Sequence, residues 1–211
     1  VDVLADERDI RIVVGFRAED VIAKARSVRK DLMFVRNPSF RDTSVRHSFW
    51  LAARHVQEPC IIVDGDMLIA PESWRDFRRE ADRHHTLVGV AAATTTDAVF
   101  ADVDVLTQQL RRFTRRDRLG YEWCGVAKMS PRLFDRHTEY VYQCIEPILP
   151  AAAFELDTAE VDTQQDLRLA VAFAQRIDTQ RLRAALPSNA VPSAAGTTTA
   201  SVAAQKADLL R

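Results

Sequence analysis

Short apolar, β-branched runs alternate with amphipathic segments through the first half of the chain, and this alternation restricts the fold more than any other feature. IRIVVG (10–15), LMFVR (32–36), CIIVD (60–64) and TLVGVAAAT (86–94) have the composition and length of strands. Between the first two, Val21, Ile22, Ala25 and Val28 recur at helical spacing. SVRHSFWLAARHV (44–56) opens on Ser44, suited to an N-cap, and turns Val45, Phe49, Ala52 and Ala53 to one side. PESWRDFRREADRHH (71–85) has a proline in its first turn. A helix between two strands returns the chain to the same end of the sheet, so such strands run parallel through right-handed crossovers. The expected fold is therefore α/β: a Rossmann-like, mostly parallel mixed sheet with helices on both faces, in three α/β/α layers. CIIVD, almost continuously apolar, reads as its best core strand.

The middle of the chain changes character. AVFADVDVL (98–106), QLRRFTR (109–115) and EWCGVAKMS (122–130) read as successive strands without long helices between them, which requires an antiparallel or mixed excursion. PRLFDRHTEYVYQCIEPILP (131–150) reads as mostly helical, FELDTAEVD (154–162) as extended, and TQQDLRLAVAFAQRI (163–177) as a terminal helix. Beyond 183 the chain is mainly Ala, Ser, Thr and Pro, too poor in large apolar side chains to offset the entropy of ordering. Residues 1–183 are thus expected to form the domain and 184–211 a disordered low-complexity tail.

Bulk composition excludes some partners. Lys and Arg number 29 against 30 acidic residues, a formal charge of -1, so no global field draws nucleic acid or an anionic membrane, and an anionic ligand must be handled locally. Cys60, Cys124 and Cys144 lie far apart and match neither a disulfide framework nor close-pair zinc spacing. No apolar stretch approaches the roughly 20 residues that span a bilayer, and the amino end has no signal-peptide layout. A soluble, cytoplasmic protein is expected.

Two acidic clusters carry candidate chemistry. VDGD (63–66) closes the CIIVD strand, and ligands of open α/β sheets gather at the carboxyl ends of strands. Asp64 and Asp66 suit Mg2+, which takes oxygen ligands from one or two carboxylates plus substrate phosphates; the same tetrapeptide also suits an ordinary turn. In ELDTAEVDTQQDL (155–167), Asp162 is placed to cap the following helix, with Gln165 completing a capping box, or to converge with VDGD on one cation. RRFTRRDR (111–118) reads as a solvated hairpin, and His47, His84 and His85 as surface residues.

IRIVVGFRAEDVI, FVRNPSFRDTSVRHSFWLA, CIIVDGDMLI, YEWCGVAKMS and AEVDTQQDL follow one another in an order that resembles nucleotidyltransferases of the sugar-phosphate and phosphocholine cytidylyltransferase type, over roughly residues 1–177. The resemblance implies a GT-A-like fold and transfer of a nucleotidyl group, CTP being the favoured donor, to a small phosphorylated acceptor with release of pyrophosphate. It implies Mg2+ held by Asp66 and Asp162 as catalytic and metal-binding residues, with Asp64 beside them. It places Thr43, Ser44 and Ser48 where the family contacts the nucleobase, and Tyr121, Glu122 and Trp123 on the wall of the acceptor pocket. An aromatic and acidic wall suits a quaternary ammonium through cation–π attraction. A homo-oligomer is compatible with the resemblance. The family's opening strand and glycine-rich phosphate loop have no counterpart in these motifs, so the domain is expected to be incomplete at its amino end and inactive unless that element is supplied. Two rivals stand beside this reading: a catalytically inactive nucleotide-binding or regulatory domain of the same fold, and a GT-A glycosyltransferase using a nucleotide sugar, for which DGD is a formal match.

Overall fold

The computed structural model describes residues 4–94, 96–135 and 138–185, with side chains to residue 180. Its opening follows the alternation in the sequence: β1 (Arg11–Val14), α1 (Ala18–Val28), β2 (Met33–Arg36), α2 (Val45–Ala53) and β3 (Cys60–Val63). A short β4 (Met67–Ile69) precedes α3 (Pro71–Ala81) and β5 (Leu87–Ala92). Then come β6 (Phe100–Asp104), β7 (Gln109–Thr114) and β8 (Tyr121–Met129), with no helix among them. A 3-10 turn (Pro131–Asp135), α4 (Tyr142–Ile145) and a second 3-10 turn (Glu146–Ile148) lead to β9 (Ala151–Glu155), β10 (Thr158–Glu160) and α5 (Gln164–Ala185). Two compact units divide the chain, one ending at Ala174 and the other beginning at Gln175, so α5 starts in the first and finishes in the second. Residues 186–211, where the sequence predicts most of the tail, lie outside the described residues.

The mixed α/β sheet with helices on both faces is present. One face carries Ile62, Val88, Val90, Ala127 and Met129 under Ala53 of α2, Phe134 and Ile145. The other carries Leu87, Cys124 and Val126 under Trp74, Phe77 and Ala81 of α3. The spacing of those α3 residues places all three on one stripe, and Pro71 at the first helical position costs no hydrogen bond.

Four local expectations need correction. The sheet is less parallel than the alternation implies: its order is β3-β8-β5-β9-β7-β6, and only β5–β9 is parallel within it, while β1–β2 forms a separate parallel pair. The cause is β8, which enters between β3 and β5 and runs antiparallel to both. CIIVD is consequently an edge strand of the six-stranded sheet, with Ile62 its one buried residue. Val45 is 56% exposed, because Ala53 and Phe49, not the first turn of α2, meet the core. Among the described residues of 131–150 there are short helical turns in place of a long helix, and Pro147, inside that span, removes a backbone donor.

Candidate functional site

The loop after β3 turns back at once into β4, and β4 pairs antiparallel with β10, Met67 opposite Glu160 and Ile69 opposite Thr158. Backbone bonds extend the clasp at both ends: the Val161 N–H donates to the Asp66 carbonyl at 3.1 Å, and the Ala70 N–H to the Asp157 carbonyl at 2.9 Å. This short ladder brings the two acidic segments of the sequence together. Carboxylate oxygens of Asp66, Glu160 and Asp162 lie within 4.8 Å of one another at the surface. Glu160 ends β10 and Asp162 follows it by two residues, while Asp66 stands in the turn just before β4, the strand that faces β10.

Asp64 stands behind this group, half-buried. Its backbone N–H donates to the Gly125 carbonyl at 3.0 Å, which carries the β3–β8 ladder one residue past Val63. Gly125 occupies a bulge in β8 opposite β5 and has φ +72°. Burial, then the charges of Asp66, Glu160 and Asp162, push the Asp64 carboxyl up to about 7. Partial burial, with Asp162, Asp66 and Glu122 as neighbours, also raises Glu160. Among the described residues no Lys or Arg forms an ion pair with Asp64, Asp66, Glu160 or Asp162. Like charges so gathered repel unless a cation lies among them, and an all-oxygen donor set fits a hard divalent ion.

The cap of α5 is not Asp162. The Asp166 backbone N–H donates to Thr163 Oγ1 at 3.2 Å, and the Thr163 N–H donates to Asp166 Oδ2 at 2.8 Å, a reciprocal capping box one residue further on. The Asp162 carboxylate is thereby left to the acidic group. Glu160 is the residue that the sequence reading missed. Its signal was the Glu-x-Asp spacing on an extended segment, visible in AEVD but credited to the aspartate alone.

Of the other sequence candidates, Tyr121 donates its hydroxyl to Glu155 at 3.3 Å, and Glu122 accepts from Thr94 at 3.4 Å while its charge reaches Glu160. Trp123 meets Phe113 edge-on, with ring centres 6.1 Å apart, and packs on the core. Thr43 and Ser48 are gathered by the Asn37 amide, at 3.0 and 3.1 Å. Ser44 holds the N-cap position of α2 without a side-chain capping bond. Among the described residues no hydrogen bond joins this loop to the acidic group. Arg111, Arg112 and Arg115 pair with Asp104, Asp102 and Asp97, so the basic hairpin is locally neutralised.

With this geometry the chain falls into a recognisable class: it has the fold of the nucleotidyltransferases. A structure of the inositol-1-phosphate CTP transferase from T. maritima superposes with a TM-score of 0.65 at 19% identity, covering 81% of this chain and 77% of that one. CTP:phosphocholine cytidylyltransferase from Streptococcus pneumoniae gives 0.66 at 15% identity, covering 82% of each chain. A protein described as a glucose-1-phosphate thymidylyltransferase, from Bacillus anthracis, gives 0.64 at 12% identity over 82% of this chain and 79% of that one. At the level of sequence, neither a protein-family model nor a curated protein matches. No described helix is long and apolar enough to cross a membrane.

Proposed function

We propose that the chain acts in nucleotidyl transfer, moving a nucleotidyl group, with cytidylyl favoured, from a nucleoside triphosphate to a small phosphorylated acceptor. The observation that carries this reading is the convergence of Asp66, Glu160 and Asp162, through the β4–β10 clasp, in a fold shared with nucleotidyltransferases. In such a reaction an acceptor phosphate oxygen bonds to the α-phosphorus, the bond from that phosphorus to the bridging oxygen breaks, and pyrophosphate leaves with its electron pair. Positioning and charge neutralisation supply most of the catalysis.

Asp66, Glu160 and Asp162 would hold Mg2+, which when bound supplies neutralisation of phosphate charge. Asp64, half-buried behind them, tunes the field of the site through its own protonation. Tyr121, Glu122 and Trp123 form the acceptor wall in this reading; the reach of the Glu122 charge to Glu160 supports the placement of Glu122 beside the carboxylates. Thr43, Ser44 and Ser48 serve the nucleobase.

The test is calorimetric titration of CTP, UTP, ATP and GTP with and without Mg2+, followed by a pyrophosphate assay with phosphocholine and sugar 1-phosphates. Mg2+-dependent pyrophosphate release that Asp66→Asn and Asp162→Asn abolish supports the proposal. Binding without turnover favours an inactive nucleotide-binding domain, and hydrolysis of a nucleotide sugar favours the glycosyltransferase reading.

A further inference from the structure

The β6–β7 hairpin turns through Val105, Leu106, Thr107 and Gln108, and its tip is held in one shape. Asp104 Oδ1 accepts the backbone N–H groups of Leu106 at 2.9 Å and Thr107 at 3.3 Å, while its other oxygen takes Arg111. Gln108 has φ +53°, its side-chain amide donates to the Val105 carbonyl at 2.8 Å, and its own carbonyl accepts the Ala153 N–H at 2.9 Å, which fixes the tip to β9. Left-handed backbone at a residue with a side chain is strained and persists only where its surroundings enforce it. This turn holds two apolar side chains out in water, Val105 at 59% and Leu106 at 92% exposure. Beside the tip lies a cavity of about 200 Å3, whose lining joins Thr107 and Gln108 of the hairpin to Glu80 and His84 at the end of α3, over Leu87 and Ala152. Leu106 does not fold back into it. β3 and β5 both run antiparallel to β8, so the amino end of β5, where the cavity lies, is remote from the carboxyl end of β3, where Asp64 and Asp66 stand.

We propose that this end of the molecule is a two-fold interface, at which a second copy of the chain inserts Leu106 into the cavity. The two halves of the contact are neighbours on one surface and share Thr107 and Gln108, so a two-fold axis beside the hairpin carries each leucine to the other copy's cavity in a single operation. A partner of another kind would account for the leucine or for the cavity, but not for their standing side by side. The charges permit the contact. Asp104 is paired with Arg111, and Glu80 with Arg83 and His84, so these groups meet their own copies across the axis already neutralised. Burial of Leu106 over Leu87 and Ala152 supplies the apolar contribution, and a single anchoring side chain in a pocket is a common centre for such an interface.

Sedimentation equilibrium over a wide range of concentration tests this, on wild type, Leu106→Asp, Gln109→Trp and an equimolar mixture of the two variants. Gln109 also lines the cavity and is exposed, so a tryptophan there blocks the opening without entering the core. Expected are a reversible dimer of wild type and a rise of at least about thirtyfold in its dissociation constant in either variant, as for the loss of an anchoring residue. The mixture should recover part of the loss, because the intact leucine of the Gln109→Trp chain meets the open cavity of the Leu106→Asp chain. In dilute solution Leu106→Asp should keep the wild-type urea midpoint and affinity for Mn2+, its side chain being in water and remote from the carboxylates. Wild type that is monomeric at every concentration overturns the proposal and leaves Leu106 to a different partner. A dimer that Leu106→Asp leaves as tight as before overturns it as well, by placing the contact on another face. So does a mixture that associates no better than either variant alone, since the leucine and the cavity then do not meet.

Discussion

The carboxylate of Asp64 rests on the bare backbone of Gly125: a Cβ built at position 125 would lie 2.5 Å from Asp64 Oδ2 and 3.0 Å from its Cβ. Gly125 also has φ +72°, a conformation that costs a side-chain-bearing residue roughly 1–2 kcal/mol. Gly125→Ala is therefore opposed twice, by backbone conformation and by contact with Asp64. The expected loss is about 2–4 kcal/mol, the two effects being of similar size. Asp64→Ala removes the contact but not the backbone cost, so in urea denaturation Gly125→Ala should cost about half as much when made in the Asp64→Ala protein as in wild type. Strict additivity of the two substitutions would mean that the side chain of Asp64 does not occupy the space over Gly125.

The capping box at the start of α5 makes a separate claim. Thr163→Ala leaves the Asp166 N–H without its acceptor and is expected to cost about 1 kcal/mol in thermal or urea unfolding. The Asp166 carboxyl is held below its ordinary value, first by the Thr163 hydroxyl and then by backbone N–H groups. A carboxyl lowered in the fold contributes stability above its unfolded value of 3.8, and that contribution disappears as the pH falls through the lower folded value. Asp166→Asn should accordingly lose stability at pH 7 and approach wild type in strong acid; equal losses at both pH values would show that its charge plays no part in the box.

Why these relations escaped the sequence, when the strands and helices before them did not, has a physical reason. Runs such as LMFVR and the Trp74, Phe77, Ala81 stripe announce themselves because burial on one face imposes a period on nearby residues. Pairing direction has no such local signature. Nothing in EWCGVAKMS states that it enters between β3 and β5, and that insertion is what sends CIIVD to an edge. The convergence of Asp66 with Asp162 could be posed as a question from strand-end chemistry, but the clasp that produces it joins strands of three residues each, too short for any pattern. Asp162 is by residue type a somewhat better cap than Thr163, and only the hydrogen bonds show that Thr163 takes the role.

Glu160 is expected to count as fully as the two aspartates. Its oxygen lies within 4.8 Å of both, and its carboxyl is held above the ordinary glutamate range by partial burial and by their charges. Glu160→Gln should weaken Mn2+ binding, read by electron paramagnetic resonance, by about tenfold or more, comparably with Asp66→Asn and Asp162→Asn. The metal-free variant should be no less stable than wild type, because repulsion is relieved. An Mn2+ affinity untouched by Glu160→Gln would confine any cation site to the aspartates.

The sharpest pH dependence should come from Asp64 in the metal-free protein. Its carboxyl stands at about 7 against 3.8 for an ordinary aspartate, chiefly because burial disfavours the ion. Each tenfold change in proton affinity is worth about 1.4 kcal/mol, so the difference amounts to a few kcal/mol, on the order of 4. The folded state holds the proton more tightly than the unfolded state, so stability is highest while the group is protonated in both. It falls as the pH rises from about 4 towards 7, and it is level above that. Glu160, raised for similar reasons, adds to the same slope. Urea midpoints measured between pH 5 and pH 8 with EDTA should therefore decline in wild type. In Asp64→Asn, which has no charge to desolvate, they should decline less and lie above wild type at pH 8. Mg2+ added at pH 8 should restore stability to wild type by compensating the ionised group. Equal slopes in the two proteins would show that Asp64 ionises in the fold as freely as in the unfolded chain, and that water reaches it past Gly125.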